Sequence, residues 1–371
     1  MRLKSTVMRI AFSLSVMAIS VCAHSDTVTS VLKNLFGNHM NDIAVPIIDL
    51  PQKFHDVYSD GVDFSPDGKY LAGDAENGVI QVWDWANAHI TSTLTEPHGS
   101  NFGTSNSPIH YSPDGRWLAS CSSKGIGEVV VRVWDTKTWA VAADIVDNGP
   151  GGCDAMGFTP DGKWLIYAID RVIKPSEIVV YAVNTWTETW RVQLDLNQLT
   201  LAISPDGIAV AVSGVHTTVL NSLDVNGYKN LLHMPTINVV DLQQRKIVKT
   251  LPGDVEGPMT WSPDGARIAV ENGARYIDVF DAHSGQRLLH EKLVAESGTR
   301  NIRFTPDGKY FIESDLNGMG KGLGVSIWDG QRQHLLQEMP LGDVASIGVS
   351  RSSKYLAVGR TGRTTIYQLK Q

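Results

Sequence analysis

From Ile43 to the C-terminus the apolar residues come in short bursts of five to seven, each cut off by turn residues. One set reads YLAGDA from Tyr70, WLASCS from Trp117, WLIYAI from Trp164, IAVAVS from Ile208, RIAVEN from Arg267, YFIESD from Tyr310 and YLAVGR from Tyr355. A second set follows each of these and ends IQVWD, VRVWD, IVVYA, INVVD, IDVFD, VSIWD and TTIYQ. A third follows in turn, for example ITSTL at Ile90, KIVKTL at Lys246 and RLLHEKL at Arg287. Runs this short, rich in β-branched and aromatic residues, predict strands rather than helices.

A turn motif punctuates the strands. It reads FSPDGK at Phe64, YSPDGR at Tyr111, FTPDGK at Phe158, ISPDGI at Ile203, WSPDGA at Trp261 and FTPDGK at Phe304, with a degenerate copy, VSRSSK, at Val349. Successive motif prolines lie 47, 47, 45, 58 and 43 residues apart, and Arg351 follows 45 after the last. Proline presets φ, aspartate bonds back to local amides, and glycine takes the left-handed position that closes a hairpin. Each repeat therefore predicts four short strands, and a period of 40 to 50 residues marks a propeller or solenoid. The expected fold is all-β, a seven-bladed β-propeller. Its last blade stops at the third strand, TTIYQLK, while IAVPIIDL from Ile43 carries the fourth-strand pattern, so the N-terminal strand is expected to complete blade seven.

The pairs Trp83-Asp84, Trp134-Asp135 and Trp328-Asp329, together with the repeat spacing, resemble the WD-repeat propellers over essentially all of the chain from Ile43 to Gln371. Phe280-Asp281 and Val240-Asp241 keep only the acid; Tyr181-Ala182 and Tyr367-Gln368 have lost it, and the family's Gly-His pair is mostly missing. The pattern is similar to a divergent bacterial branch, within the superfamily of YVTN and quinoprotein-amine-dehydrogenase-like propellers. Such a resemblance implies a rigid platform for protein partners.

Residues 1–23 read as a signal peptide, with Arg2, Lys4 and Arg9 ahead of an apolar run from Ile10 to Val21. That run is shorter than the ~20 residues a membrane span needs. A periplasmic or secreted location is expected, with no transmembrane span after signal removal. Residues 24–42 form a short amphipathic segment, with Val28, Val31, Leu32, Leu35 and Phe36 at helical spacing, and residues 43–371 are the propeller. Losing three cations with the signal takes the net charge from −7 to −10, which disfavours nucleic acid as a partner. Cys121 and Cys153 are expected at the ends of strands on one face, where a disulfide and two separate buried thiols are both open readings.

The 58-residue spacing places an insert, Val215 to Pro235, between strands two and three of blade four. Its Asn226-Gly227 turn is flanked by apolar residues, including Leu223, Tyr228 and Leu231, which either fold onto a neighbouring blade or meet a partner. No histidine stands in metal-ligand spacing with a glutamate or cysteine, no Gly-x-Ser-x-Gly elbow occurs, and no cofactor motif is present. The aspartates of the turns are read as structural. Loops at the opposite end, carrying Asp74, Glu76, Asp254, Glu256, Glu271, Glu296, Asp315 and Arg360, form a mainly acidic rim suited to a basic protein partner. The leading expectation is a monomeric, non-catalytic, extracytoplasmic interaction scaffold without cofactors. The alternatives are a propeller enzyme of lactonase or quinoprotein-dehydrogenase-subunit type, and a small-ligand or glycan binder.

Overall fold

The structure, a computed structural model, describes residues 42–51, 61–75, 78–97, 108–123, 127–171, 175–216, 236–252, 257–272, 276–293, 299–315, 324–342, 344–360 and 362–371. Seven four-stranded antiparallel sheets make up the described residues, and six of them run consecutively in sequence order. In the seventh the order is Ala44–Leu50, Arg363–Leu369, Tyr355–Arg360 and Val344–Val349, so the N-terminal strand lies on the outside of the last blade. Ala44 pairs with Leu369 and Leu50 with Thr364. The first strands of successive blades pack against one another right round the ring, blade one against blade seven included. The chain is a closed seven-bladed β-propeller, as the repeat spacing predicts.

Packing explains why one blade could not stand alone. The apolar residues divide into seven clusters, and each spans two neighbouring blades. Side chains alternate across a strand, so each sheet has two apolar faces and needs a neighbour on both. Between blades seven and one, Leu50, Ala357 and Ile366 meet Val62, Phe64, Leu71, Trp83 and Trp85. The aromatic of the Trp-Asp pair points back to the preceding blade: Trp134 joins Ile80 and Val82 of blade one, and Phe280 joins Ile237 and Val239 of blade four. A bulge in the ladder between strands three and four falls just before this position in each of blades one to six, for example at Val82/Trp83 and Ile327/Trp328.

The turn motif is tighter than its proline, aspartate and glycine suggest. The hydroxyl that precedes each proline is buried and donates to the turn aspartate, as from Ser65 to Asp67 at 2.6 Å and from Thr305 to Asp307 at 2.6 Å. The same oxygen accepts the amide that opens the next strand, Tyr70 to Ser65 at 2.8 Å. The seventh copy keeps this geometry with other residues. Ser350 accepts from the Tyr355 amide, and Ser353 takes the glycine position at φ +57°. Its hydroxyl also accepts the Asp307 amide, which links the turns of blades six and seven.

Candidate interaction faces

Antiparallel order sends the connections to two ends. The turn motif and the strand three-to-four turns share one, here the turn face. The strand two-to-three and blade-to-blade connections share the other, the loop face. The turn aspartates are spent locally: burial works against ionisation at Asp67, Asp114, Asp161 and Asp307, yet bonds from the adjacent hydroxyl and the following amide outweigh it and hold these carboxyls below the usual range. At Asp264 the bond from Ser262 leads, with the same result. After the glycine comes a cation in five blades, Lys69, Arg116, Lys163, Lys309 and Lys354, but Ile208 in blade four and Ala266 in blade five.

On the loop face, Asp74, Glu271 and Arg360 of the expected acidic rim are engaged within the ring. Asp74 is half-buried and lies on the same side of its strand as Ala72, which packs against blade two. Burial, with the charge of Glu96 next, pushes its carboxyl well above the usual range. Glu271 is buried, with its amide bonded to the Pro258 carbonyl. Arg360 donates to the Leu341 carbonyl and to Thr365 Oγ1, both at 3.1 Å. Asp315 ends strand two of blade six and pairs in the ladder with Thr299. Glu76, Asp254, Glu256, Glu296 and the insert residues Leu223, Tyr228 and Leu231 lie outside the described residues. The insert leaves from His216 and returns at Thr236, so both of its ends stand on the loop face.

Beneath this face blades two and three are tied together. Cys121, near the end of strand two in blade two, forms a disulfide with Cys153, which enters blade three, with Cα atoms 6.2 Å apart. Beside it, Arg171 Nη2 lies 2.7 Å from both Asp147 of blade two and Glu177 of blade three. Arg191 adds contacts to Glu177 at 3.1 Å and to Glu188 at 2.6 Å. Further round, the Asp154 carboxylate accepts the Leu199 amide of blade four at 2.7 Å, and burial, reinforced by the charge of Asp170, lifts Asp154 to about 7. In blade five the fully buried Asp278 lies 2.6 Å from His290 Nδ1, and that ring stacks on Tyr276. In blade six Glu313 accepts the Trp328 indole N–H at 3.1 Å and pairs with Arg332.

Sequence reasoning raised the Cys121–Cys153 disulfide but did not find the ion pairs, because partners such as Asp147 and Arg171 are 24 residues apart and belong to different blades. Among the described residues no group of three or more His, Cys, Asp or Glu is gathered to hold a metal ion. No helix among them is long and apolar enough to cross a membrane.

Comparison with known families gives one match: the WD domain, G-beta repeat, over residues 54–84. That span runs through the first turn motif to the Trp83-Asp84 pair. No curated protein matches the chain. The likeness covers the first three strands of blade one, and the recurrence of four-stranded blades round the ring supports a WD-repeat propeller architecture.

Proposed function

We propose that the protein is a non-catalytic interaction module working outside the cytoplasm, which captures a protein partner, of basic character, on its loop face. One observation carries this reading. The turn face repeats the same tight hydroxyl-Pro-Asp-Gly geometry in six blades and mimics it in the seventh, whereas the loop-face connections range from a few residues to the stretch 217–235. Sequence variation concentrated on one end of a rigid ring is the usual arrangement of a binding surface, because the scaffold pays the ordering cost in advance. The disulfide and the Arg171 cluster stiffen that end, and a disulfide persists in an oxidising compartment, in keeping with the signal-like residues 1–23. The extracytoplasmic location is supported by residues 1–23 and the disulfide, and the basic partner by Glu76, Asp254, Glu256 and Glu296 in the sequence of the loop-face connections.

The test compares the protein with a variant in which an Asn-Gly turn replaces residues 217–235. Both are immobilised and challenged with periplasmic extract and culture fluid at low and high salt. A partner retained by the first, lost from the variant and unaffected by Lys69→Glu with Lys163→Glu on the turn face is the expected result. Equal retention by the variant, or binding abolished only by the turn-face changes, overturns the placement. Turnover of any member of a lactone and amine substrate panel overturns the non-catalytic reading.

A further inference from the structure

Large apolar side chains are exposed at eight described positions, and six of these belong to blades four, five and six: Ile208, Ile247, Val248, Leu288, Leu335 and Leu336. They are between 39% and 53% exposed, too much for ordinary packing residues. Five of them lie near the beginning of an outer strand, just after the strand three-to-four turn, and the sixth, Ile208, is bonded through its carbonyl to the Leu242 amide in that turn of blade four. They therefore share one height, at the turn-face rim. The other two exposed positions, Val141 and Val146, stand on blade two between blades whose outer strands expose His89, Thr91 and Thr93 on one side and Thr187, Glu188 and Arg191 on the other. In the same sector the ring of cations after the turn glycines is broken by Ile208 and Ala266.

An outer strand with an open ladder and an apolar surface invites pairing, and soluble proteins cover such edges. The N-terminal strand begins beside this sector. The amides of Ile43 and Ala44 both donate to Gln337 Oε1, at 2.6 and 2.8 Å, and Gln337 Nε2 returns a bond to the Ala44 carbonyl. Gln337 follows Leu335 and Leu336 on the outer strand of blade six. Whatever precedes Ile43 thus leaves the ring at the turn-face end, next to the first two residues of the apolar arc.

Residues 28–36 lie outside the described residues, and their sequence carries Val28, Val31, Leu32, Leu35 and Phe36 at the spacing of an amphipathic helix. The six residues between this segment and Ile43 reach up to about 20 Å, and a helix of nine residues is about 13 Å long. Neighbouring sheets packed face to face are about 10 Å apart at their core and fan apart towards their outer strands, so the segment is long enough to run from blade six onto blade five. We propose that residues 28–36 dock by their apolar side on the turn-face rim of blades five and six, over Leu288, Leu335 and Leu336. The segment covers exposed outer strands of its own ring and leaves the loop face free for a partner.

Hydrogen exchange on the purified full chain tests this, together with an amine cross-linker that reaches from Lys33 to Lys309 on the turn face of blade six, applied to a mixture of isotopically light and heavy protein. Exchange over residues 28–36 is expected to be at least tenfold slower than in the unfolded peptide. It should rise to the peptide rate both in Leu288→Asp with Leu336→Asp and in Leu32→Asp with Phe36→Asp. The second pair lies outside the blades, so the result does not hang on how well an altered rim folds. Cross-links should join light to light and heavy to heavy only. Absence of protection, protection that survives either pair, or mixed light-heavy links, which would mean a second copy on the rim, each overturn the proposal. None of these outcomes touches the insert, so failure here is separable from failure of the loop-face reading.

Discussion

Truncating Leu50 tests whether the N-terminal strand holds the ring shut. Leu50 is fully buried in the apolar cluster between blades seven and one, which holds Val62, Phe64, Leu71, Trp83 and Trp85 of blade one with Ala357 and Ile366 of blade seven. It ends a strand that pairs with Arg363–Leu369 and is pinned at its start by Gln337 of blade six. Leu50→Ala removes the packing and leaves a cavity that a two-sided interface cannot close, a loss of about 2 to 5 kcal/mol. Against a typical stability of about 5 to 15 kcal/mol this is a large fraction, and urea unfolding followed by tryptophan fluorescence should show it as a clearly lower midpoint with unchanged slope. Thr93→Ala, an exposed position on the outer strand of blade one, serves as control and should stay within about 0.5 kcal/mol of the unaltered protein. The argument fails if Leu50→Ala behaves like the control, or if a chain lacking everything before Gln52 melts cooperatively at the full-length temperature.

Replacing Cys121 and Cys153 together by alanine should cost about 3 to 4 kcal/mol on the chain-entropy account for a separation of 32 residues, and added reductant should lower the stability of the unaltered protein alone in a paired urea titration. Arg171→Met leaves Asp147 and Glu177, whose side chains are only 10% and 11% exposed, with Arg191 at 3.4 and 3.1 Å as their remaining partner, so a loss of up to about 3 kcal/mol is expected from thermal or urea melts. Asp154 binds its proton more tightly in the folded chain than in the unfolded one, so its contribution is full below about pH 4 and falls as pH rises towards 7, by at most about 4 kcal/mol in all. Asp154→Asn keeps an oxygen for the Leu199 amide and should flatten that decline in melts between pH 5 and 8; an unchanged slope refutes the assignment. Asp67, Asp114, Asp161, Asp264 and Asp307 act with the opposite sign: their carboxyls are held low, so their contribution is lost as pH falls below about 4.

Repetition is why so much of the fold could be read from one chain. Each Pro-Asp-Gly turn dictates a hairpin through local φ preferences, and six copies at near-constant spacing leave few architectures that bury both faces of every sheet. The extra N-terminal strand was legible too, because a missing fourth strand at one end and a spare one at the other have the same apolar pattern. The hydroxyl before the proline was in view at every copy, yet its double role, donating to Asp67 or Asp307 and accepting the amide of Tyr70 or Tyr310, needs the folded turn to appear.

Local rules stop at the blade interface. Whether Asp74 and Glu271 face solvent or the next blade depends on strand parity and on what the neighbouring sheet presents, and the ring turns both inward although their sequence positions suggest a rim. The meeting of Cys121 with Cys153, the convergence of Arg171 and Arg191 on Asp147 and Glu177, and the step from Gln337 to Ala44 all join residues from different blades. The sequence by itself determined the unit and its number, because turns and strand periodicity are fixed by backbone sterics within a few residues. Which side chains became staples, which carboxyls were buried and which apolar positions stayed uncovered was decided only when seven units closed into a ring, because burial and charge pairing depend on distances that no single unit contains.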